Sequence, residues 1–344
     1  HEGQAARSIV ERARRALARA IGAEPQAVIF EGGATEANNH VIRHHVRTTD
    51  APFVVCTAVE HPSVIEVLRD LERSGVRTEV WPVDPSGRLD LAWLAERAHD
   101  VTLVSVMFAN NEIGNVYPVA DIAALLADRD ALLHVDATQA FGRIPVDFAS
   151  LGADYLTLSF HKSGGPKGIG ALVVREGLKV EGIVSGGHQE RGRRPGTENV
   201  PAAAGLTALA GVVEAELAHW LPTLENNRAA FLDALSDRVQ LEIRGDQVHR
   251  LPNTVNVAFH GVDGEDLLLA LDLEGIAASS GSACTAGSLE PSHVILAMGF
   301  PEPDARRSVR FSFGPATRRE TLLEAAERIA VVVGRLQDLN PHPG

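Results

Sequence analysis

Lys162 stands in Ser159-Phe160-His161-Lys162-Ser163-Gly164-Gly165-Pro166-Lys167-Gly168-Ile169-Gly170, just past the β-prone run Tyr155 to Leu158. Small residues after it leave room beside its amine. A lysine so placed is a solvated surface charge, or an amine held near neutral that condenses with a carbonyl to a Schiff base. The second reading needs three companions: an aldehyde cofactor, a cradle for its phosphate and an acid for its ring.

Asp136 supplies an acid. It follows the apolar run Leu132 to Val135 and leads into Ala137-Thr138-Gln139. A carboxylate at the tip of a buried strand is costly to desolvate unless a cation or strong donors meet it. The protonated ring nitrogen of pyridoxal phosphate would be such a cation. A cradle is offered by Glu31-Gly32-Gly33-Ala34-Thr35-Glu36, between the strand-like run Ala27 to Phe30 and a helix predicted from Ala34. Strand, glycines and helix N-terminus present backbone N–H groups to a phosphate. An ordinary tight turn with a threonine cap fits the same residues.

Further polar residues follow other strand-like runs. His61, in Glu60-His61-Pro62-Ser63, sits at a strand-to-helix junction, where it faces a site or merely caps the helix. Asn111, in Asn110-Asn111-Glu112-Ile113-Gly114, follows Val101 to Met107, at the end of a strand where open α/β sheets bind ligands. His40 and His44 lie four apart on one helix but lack a third metal ligand. The loop Gly186 to Asn199 is rich in glycine and arginine, the latter solvated or answering anions. Of the two cysteines, Cys56 lies inside an apolar strand and reads as an inert core thiol. Cys284 lies among Ser, Gly, Ala and Thr in Ser279 to Glu290, an exposed thiol of no consequence or a nucleophile.

The elements that must position these groups alternate strand and helix from residue 27 to 175, with Phe53 to Cys56 and Val80 to Val83 as further strands and helices near 91–98 and 119–126. Buried apolar strands of this kind predict an α/β fold with a mainly parallel sheet flanked by helices. An alanine-rich helix follows from Val200 and a second helical run over 221–235. An α+β pattern comes next: strand 254–259, helix 265–273, strand 309–313 and a final helix over 319–336. The division is a large domain over 1–217 and a smaller C-terminal domain over 218–344 that carries the Cys284 loop. Gly32-Gly33-Ala34 lacks the G-x-G-x-x-G of a dinucleotide site, and Gly164 to Gly168 fits no Walker frame.

The chain has 344 residues, 45% hydrophobic, and a net charge of −13. That suffices for a large core and disfavours nucleic-acid binding. No unbroken apolar run reaches the ~18–20 residues of a bilayer span, and no signal peptide is visible, so no membrane association is expected. Two cysteines make no disulfide framework, which fits a cytoplasmic protein. His1 opens the chain where an initiator methionine would stand, with helical periodicity beginning almost at once, as if a natural N-terminal segment preceded it.

Taken together, FEGGATEANN, AVEHPSV, NNEIG, HVDATQA, SFHKSGGPKGIGAL, GGHQERGRRPGTEN, SSGSACTAGSLEPSHV and VRFSFG, in this order, resemble the group I cysteine desulfurases of the NifS/IscS type. These are fold-type I pyridoxal enzymes of the class V aminotransferase group, and the match runs over about residues 1–336. The resemblance implies an aspartate-aminotransferase-like large domain and pyridoxal 5'-phosphate as cofactor. Lys162 would form the Schiff base and later move protons at the substrate Cα. Asp136 would bond the pyridine nitrogen, and His61 would stack on the ring and assist proton transfer. Gln139 would bond the phenolic oxygen, with Asn111 near it and the substrate. Ala34, Thr35, Ser159 and His161 would hold the phosphate, and Thr197 would reach the phosphate of the neighbouring subunit in a homodimer. Arg310 would bind the carboxylate of L-cysteine. Cys284 would take the sulfur as a persulfide, leaving alanine, and hand it to an acceptor protein such as an iron–sulfur scaffold.

The chain departs from the family in three places: the D-x-x-A-T-T segment that opens its members does not appear, His188 stands for a small residue, and Phe160 replaces a small residue beside the lysine. Two other activities fit the same frame. A selenocysteine lyase or other β-eliminating pyridoxal enzyme would release sulfur without a Cys284 persulfide. A catalytically idle partner in a sulfur-transfer complex would not take up the cofactor.

Overall fold

A computed structural model describes residues 1–280 and 290–339. The chain divides into two compact units. The first comprises 1–82, 90–109 and 117–217; the second comprises 83–89, 110–116 and 218–344. Two short segments from the N-terminal half, Val83–Leu89 and Asn110–Val116, thus belong to the second unit. Their attachments are non-local: Asn115 bridges to Arg250, and the Val116 N–H donates to the carbonyl of His249 at 2.9 Å. Sequence proximity to β-like runs gives no sign of this.

In the first unit the elements are α1 (Glu2–Ala20), β1 (Val28–Glu31), α2 (Ala34–Thr48), β2 (Phe53–Thr57), α3 (Pro62–Arg73), β3 (Arg77–Trp81), α4 (Leu91–Ala95), β4 (Leu103–Met107), α5 (Val119–Leu126), β5 (Leu132–Asp136), α6 (Phe148–Leu151), β6 (Tyr155–Ser159), β7 (Gly170–Val174) and the start of α7 (Val200–Ser236). One seven-stranded sheet runs β1-β7-β6-β5-β4-β2-β3. β3, β2, β4, β5 and β6 are parallel; β7 is antiparallel to both β6 and β1, so it alone runs the other way. The C-terminal ends of six strands and the N-terminal end of β7 therefore share one edge. Glu31 and Ser159 both pair with Gly170 there. A Cβ on Gly170 would lie 2.7 Å from the Gly33 backbone, so only glycine lets β7 start against the turn into α2.

The strands form because their runs are apolar on both faces. Val54, Cys56, Leu103, Val104, Leu156 and Leu172 are all fully buried, each such aliphatic side chain worth about 1.5–3 kcal/mol. Helix α3 shows the complementary pattern. Val64, Val67, Leu68 and Leu71 recur at helical spacing and are buried, Pro62 opens the helix and His61 caps it. β3 lies at residues 77–81 rather than 80–83. It is an edge strand whose Arg77 and Glu79 hide it from an apolar pattern.

The second unit contains a three-stranded antiparallel sheet in the order β10-β9-β8, built from β8 (Leu241–Ile243), β9 (Thr254–Phe259) and β10 (Ser308–Ser312), with α8 (Gly264–Leu273), α9 (His293–Ala297), α10 (Glu302–Arg306) and α11 (Arg319–Leu339). Its core joins Phe231 and Leu235 of α7 to Val257, Phe311, Leu271 and Ile329. The two helical runs expected over 200–235 are one helix, α7, with Pro222 inside it. The proline removes one backbone bond and strains the turn before it. Burial of Leu206 and Ala210 before it, and of Leu224 and Phe231 after it, keeps the helix whole. By length and composition α7 is also apolar enough to cross a bilayer. Alanine and glycine carry that hydropathy between a few charges, without an unbroken apolar run, and the core helix of a globular protein has the same composition.

Candidate active site

The C-terminal edge of the first sheet gathers Asp136 from β5, Ser159 from β6, the turn containing His161 and Lys162, Gln139 just beyond β5, His61 just beyond β2, and Ala34 and Thr35 at the start of α2. Asp136 is buried. Its Oδ1 accepts the Thr138 N–H at 2.9 Å and its Oδ2 accepts from Asn38 Nδ2 at 2.8 Å. Two donors at a buried carboxylate leave lone pairs for a cation at the strand tip.

Lys162 is exposed, on a single 3-10 turn over Phe160–Ser163 that Gly164 ends at φ 83°. Three bonds fix the turn. Gly165 N–H donates to Phe160 O at 3.0 Å, Ser163 Oγ to Phe141 O at 2.5 Å, and Arg143 Nη2 to Lys162 O at 2.6 Å. Arg143 also donates to Gln139 Oε1 at 2.5 Å, so one guanidinium positions both Gln139 and the lysine turn. Phe160 is fully buried and packs edge-on against Phe141, ring centroids 5.7 Å apart. The bulky residue beside the lysine is thus a core anchor facing away from solvent.

α2 starts at Gly33, which has no side chain to cap it, so its first-turn N–H groups receive no N-cap bond. A Cβ on Gly33 would lie 3.9 Å from Ser159 Oγ, which places that hydroxyl beside the helix start. Ser159 Oγ and His161 Nδ1 are 3.0 Å apart. Burial and the neighbouring Lys162 and Lys167 hold the His161 imidazole below its usual range. Uncapped N–H groups, two hydroxyls and an imidazole make a donor set for a phosphate.

His61 accepts the Ser63 N–H at Nδ1, 3.1 Å away, and Ser63 Oγ lies 2.8 Å from the same nitrogen. Ser63 Oγ in turn accepts from Asn38 Nδ2 at 2.9 Å. Beside His61, Glu60 is fully buried. Burial, opposed by bonds from Thr57 Oγ1 and Met107 N–H, pushes its carboxyl up to about 8. Burial thus favours its protonated form beside Asp136.

Thr197 is exposed and lines a cleft with Glu31, Gly32, Gly168 and Arg194. Its loop is held against the rest of the first unit by several contacts, two of them ion pairs. Glu190, at φ 47°, is buried and accepts from both Nη atoms of Arg14 at 2.8 Å. Arg194 is paired with Glu36. His40 Nδ1 meets Glu31 Oε1 at 2.7 Å and His44 Nε2 meets Lys179 O at 3.0 Å, so each imidazole serves a protein partner. Burial pushes the Cys56 thiol well up, as for an inert core residue.

In the second unit, Arg310 Nη1 donates to the Asn111 carbonyl at 2.6 Å. Ser279 and Arg310 exchange two backbone bonds, of 3.1 and 2.6 Å. Ser292 Oγ donates to Glu112 Oε2 at 2.5 Å, and burial raises the Glu112 carboxyl. Asn111 follows a first-unit strand in sequence, yet it belongs to the unit that holds Arg310. Cys284 lies outside the described residues. Sequence reasoning missed Asn38, Ser63, Glu36 and Arg143. The available signal was Asn38, a polar residue on the same buried face of α2 as Ala37, Val41 and Ile42.

A seven-stranded, mainly parallel sheet with a lysine turn, a buried acid and an open helix start on one edge is the arrangement of a pyridoxal enzyme. The family model for aminotransferase class-V matches residues 1–324. The chain belongs to that family of pyridoxal-phosphate enzymes, and within it to the NifS/IscS type. It is 41% identical over 339 residues to a cysteine desulfurase of Nostoc sp., covering 96% of this chain and 84% of that protein. It is 37% identical over 346 residues to the cysteine desulfurase IscS of Dictyoglomus turgidum, covering 99% and 88%. A solved NifS-like protein superposes with a TM-score of 0.91 at 30% identity, over 97% of this chain and 90% of that one.

Proposed function

We propose that this chain is a cysteine desulfurase that removes sulfur from L-cysteine and holds it as a persulfide on Cys284. The observation that carries the reading is the shared edge of the first unit: Asp136 buried with two donors, Lys162 on a braced turn, and α2 starting uncapped beside Ser159. These residues fit pyridoxal 5'-phosphate. Ala34, Thr35, Ser159 and His161 would hold its phosphate, Asp136 its ring nitrogen, Gln139 its phenolic oxygen and Lys162 its carbonyl carbon.

When bound, the cofactor supplies an electron sink conjugated to the substrate Cα. The chain's own residues do the rest. Lys162 would move the proton at Cα, and His61 would stack on the ring and assist proton transfer. Arg310 binds the substrate carboxylate, with Asn111 beside it. The Cys284 thiolate attacks the substrate sulfur. The S–S bond forms as the C–S bond breaks, and the electron pair left on carbon takes a proton to give alanine. L-cysteine and a thiol thus become alanine and a persulfide, with atoms and electrons balanced.

The chain acts as a homodimer, with Thr197 completing the phosphate site of its neighbour, in the cytoplasm. The sulfur acceptor is a protein, with an iron–sulfur scaffold favoured by the IscS name of a relative. The test is alanine formation from L-cysteine with added cofactor and a reducing thiol, for wild type, Lys162→Ala and Cys284→Ala. Both variants should fall to background. Undiminished alanine formation by Cys284→Ala would overturn the persulfide role.

A further inference from the structure

Three hydrogen bonds join Asp136 to His61: Asp136 Oδ2 to Asn38 Nδ2 at 2.8 Å, Asn38 Nδ2 to Ser63 Oγ at 2.9 Å, and Ser63 Oγ to His61 Nδ1 at 2.8 Å. Every proton in the chain can be placed. A backbone N–H can only donate, so the Ser63 N–H at 3.1 Å requires a lone pair on His61 Nδ1. The neutral ring then carries its proton on Nε2. With Nδ1 an acceptor, the Ser63 hydroxyl must donate to it. The serine oxygen is then left to accept, and Asn38 must present its NH2 group. The carboxylate of Asp136 imposes the same orientation, because it too can only accept. A flipped amide would set Oδ1 against that carboxylate.

The chain has a visible cost. Asn38 is fully buried and its Oδ1 has no hydrogen-bond partner among the described residues. A buried orphan acceptor is destabilising. The residue forgoes that bond while both hydrogens of the other end of its amide are used.

The geometry points to Asn38 as a positioning residue that orients the Asp136 carboxylate and, through the Ser63 hydroxyl, reinforces the Nε2–H tautomer of His61 that the Ser63 N–H imposes. One amide thereby sets the group facing the ring nitrogen and the group assisting proton transfer in a single pattern. The inference rests on the roles proposed above for Asp136 and His61, but the hydrogen-bond chain belongs to the protein alone.

The test is nitrogen NMR of the full chain carrying ¹⁵N-histidine, after removal of cofactor, with the His61 signal assigned by its loss in His61→Gln. Wild type should show the Nε2–H pattern. Ser63→Ala should move the His61 Nδ1 resonance, and Asn38→Leu should move it in the same direction by less. The double variant should match Ser63→Ala alone, since coupled residues are not additive. An unmoved resonance in Asn38→Leu, or shifts that add in the double variant, would overturn the inference.

If Asn38→Leu does not fold, Ser63→Ala is read from the other end. The Asn38 amide proton facing Ser63 should move while its partner facing Asp136 stays; neither moving would also overturn it. A second readout is cofactor retention on dialysis. Asn38→Leu should release pyridoxal phosphate about tenfold more readily, the scale of one hydrogen bond to a charged group, and Ser63→Ala less. Failure of retention in wild type would instead count against the cofactor reading and leave the histidine result standing.

Discussion

Arg194 and Glu36 are joined by two hydrogen bonds, Nε to Oε1 at 2.8 Å and Nη2 to Oε2 at 3.0 Å. Glu36 Oε2 also accepts the Gly32 N–H at 2.6 Å. One carboxylate therefore closes the turn into α2 and holds the loop that carries Thr197. Burial raises the Glu36 carboxyl, but Arg194 and the Gly32 N–H outweigh it and leave it below the usual range. An acid in the first turn is also favoured by the helix dipole. Glu36→Gln should keep the Gly32 bond and lose the ion pair. The expected result is a stability loss of about 1 kcal/mol, since both partners are part-exposed, and faster proteolysis within Gly186 to Asn199. Unchanged proteolysis would show that the pair does not hold the loop.

Arg14 and Glu190 form a further ion pair that attaches the loop, and both are buried. Removing one partner of a buried pair strands the other charge, at about 3–5 kcal/mol. Arg14→Leu should lower stability on that scale in urea unfolding. Arg14→Lys should not restore it, because an ammonium cannot reproduce the paired guanidinium contacts. A loss under about 1 kcal/mol in Arg14→Leu would mean that the pair behaves as a surface one.

Glu60 sets a pH dependence whose sign is fixed. Its carboxyl is raised from 4.5 to about 8 in the folded chain. Between these values the folded state keeps a proton that the unfolded state has lost. Stability therefore falls as pH rises from the unfolded value through the folded one, by up to about 1.4 kcal/mol per pH unit. His134 and His45 are held down at about 4, which gives the opposite slope, but only below their ordinary 6.5. Above pH 6.5 the carboxyl contribution stands clear of these two histidines. Glu60→Gln mimics the protonated acid and keeps an acceptor for Thr57 and Met107. It should lose less stability than wild type between pH 6.5 and 8. Parallel curves would contradict the buried, protonated Glu60.

The sequence made the site edge legible where chemistry coincides with a strand end. Asp136 and Lys162 each follow an apolar run, and both runs are strands at the expected places, β5 and β6. It concealed what depends on tertiary pairing. Asn110–Val116 joins the second unit through Arg250 and His249, far away in sequence. β8 has three residues and no pattern to announce it. Asn38 and Ser63 are small polar residues whose meaning lies in what they touch, and only packing α2 beside α3 and β5 brings them to Asp136. Phe160 looked like a disturbance next to the lysine and is a core anchor against Phe141.

The central claim is that Lys162 is the amine that holds the cofactor, and the composition makes this unusually direct to test. The chain has three lysines, Lys162, Lys167 and Lys179. Purified protein is incubated with pyridoxal phosphate, reduced with borohydride to fix any lysine conjugate, digested and mapped by mass spectrometry. The account predicts the pyridoxyl group on Lys162 at near-stoichiometric yield, and its absence when L-cysteine is present in excess before reduction. Label on Lys167 or Lys179, or no label on a folded chain, would contradict it.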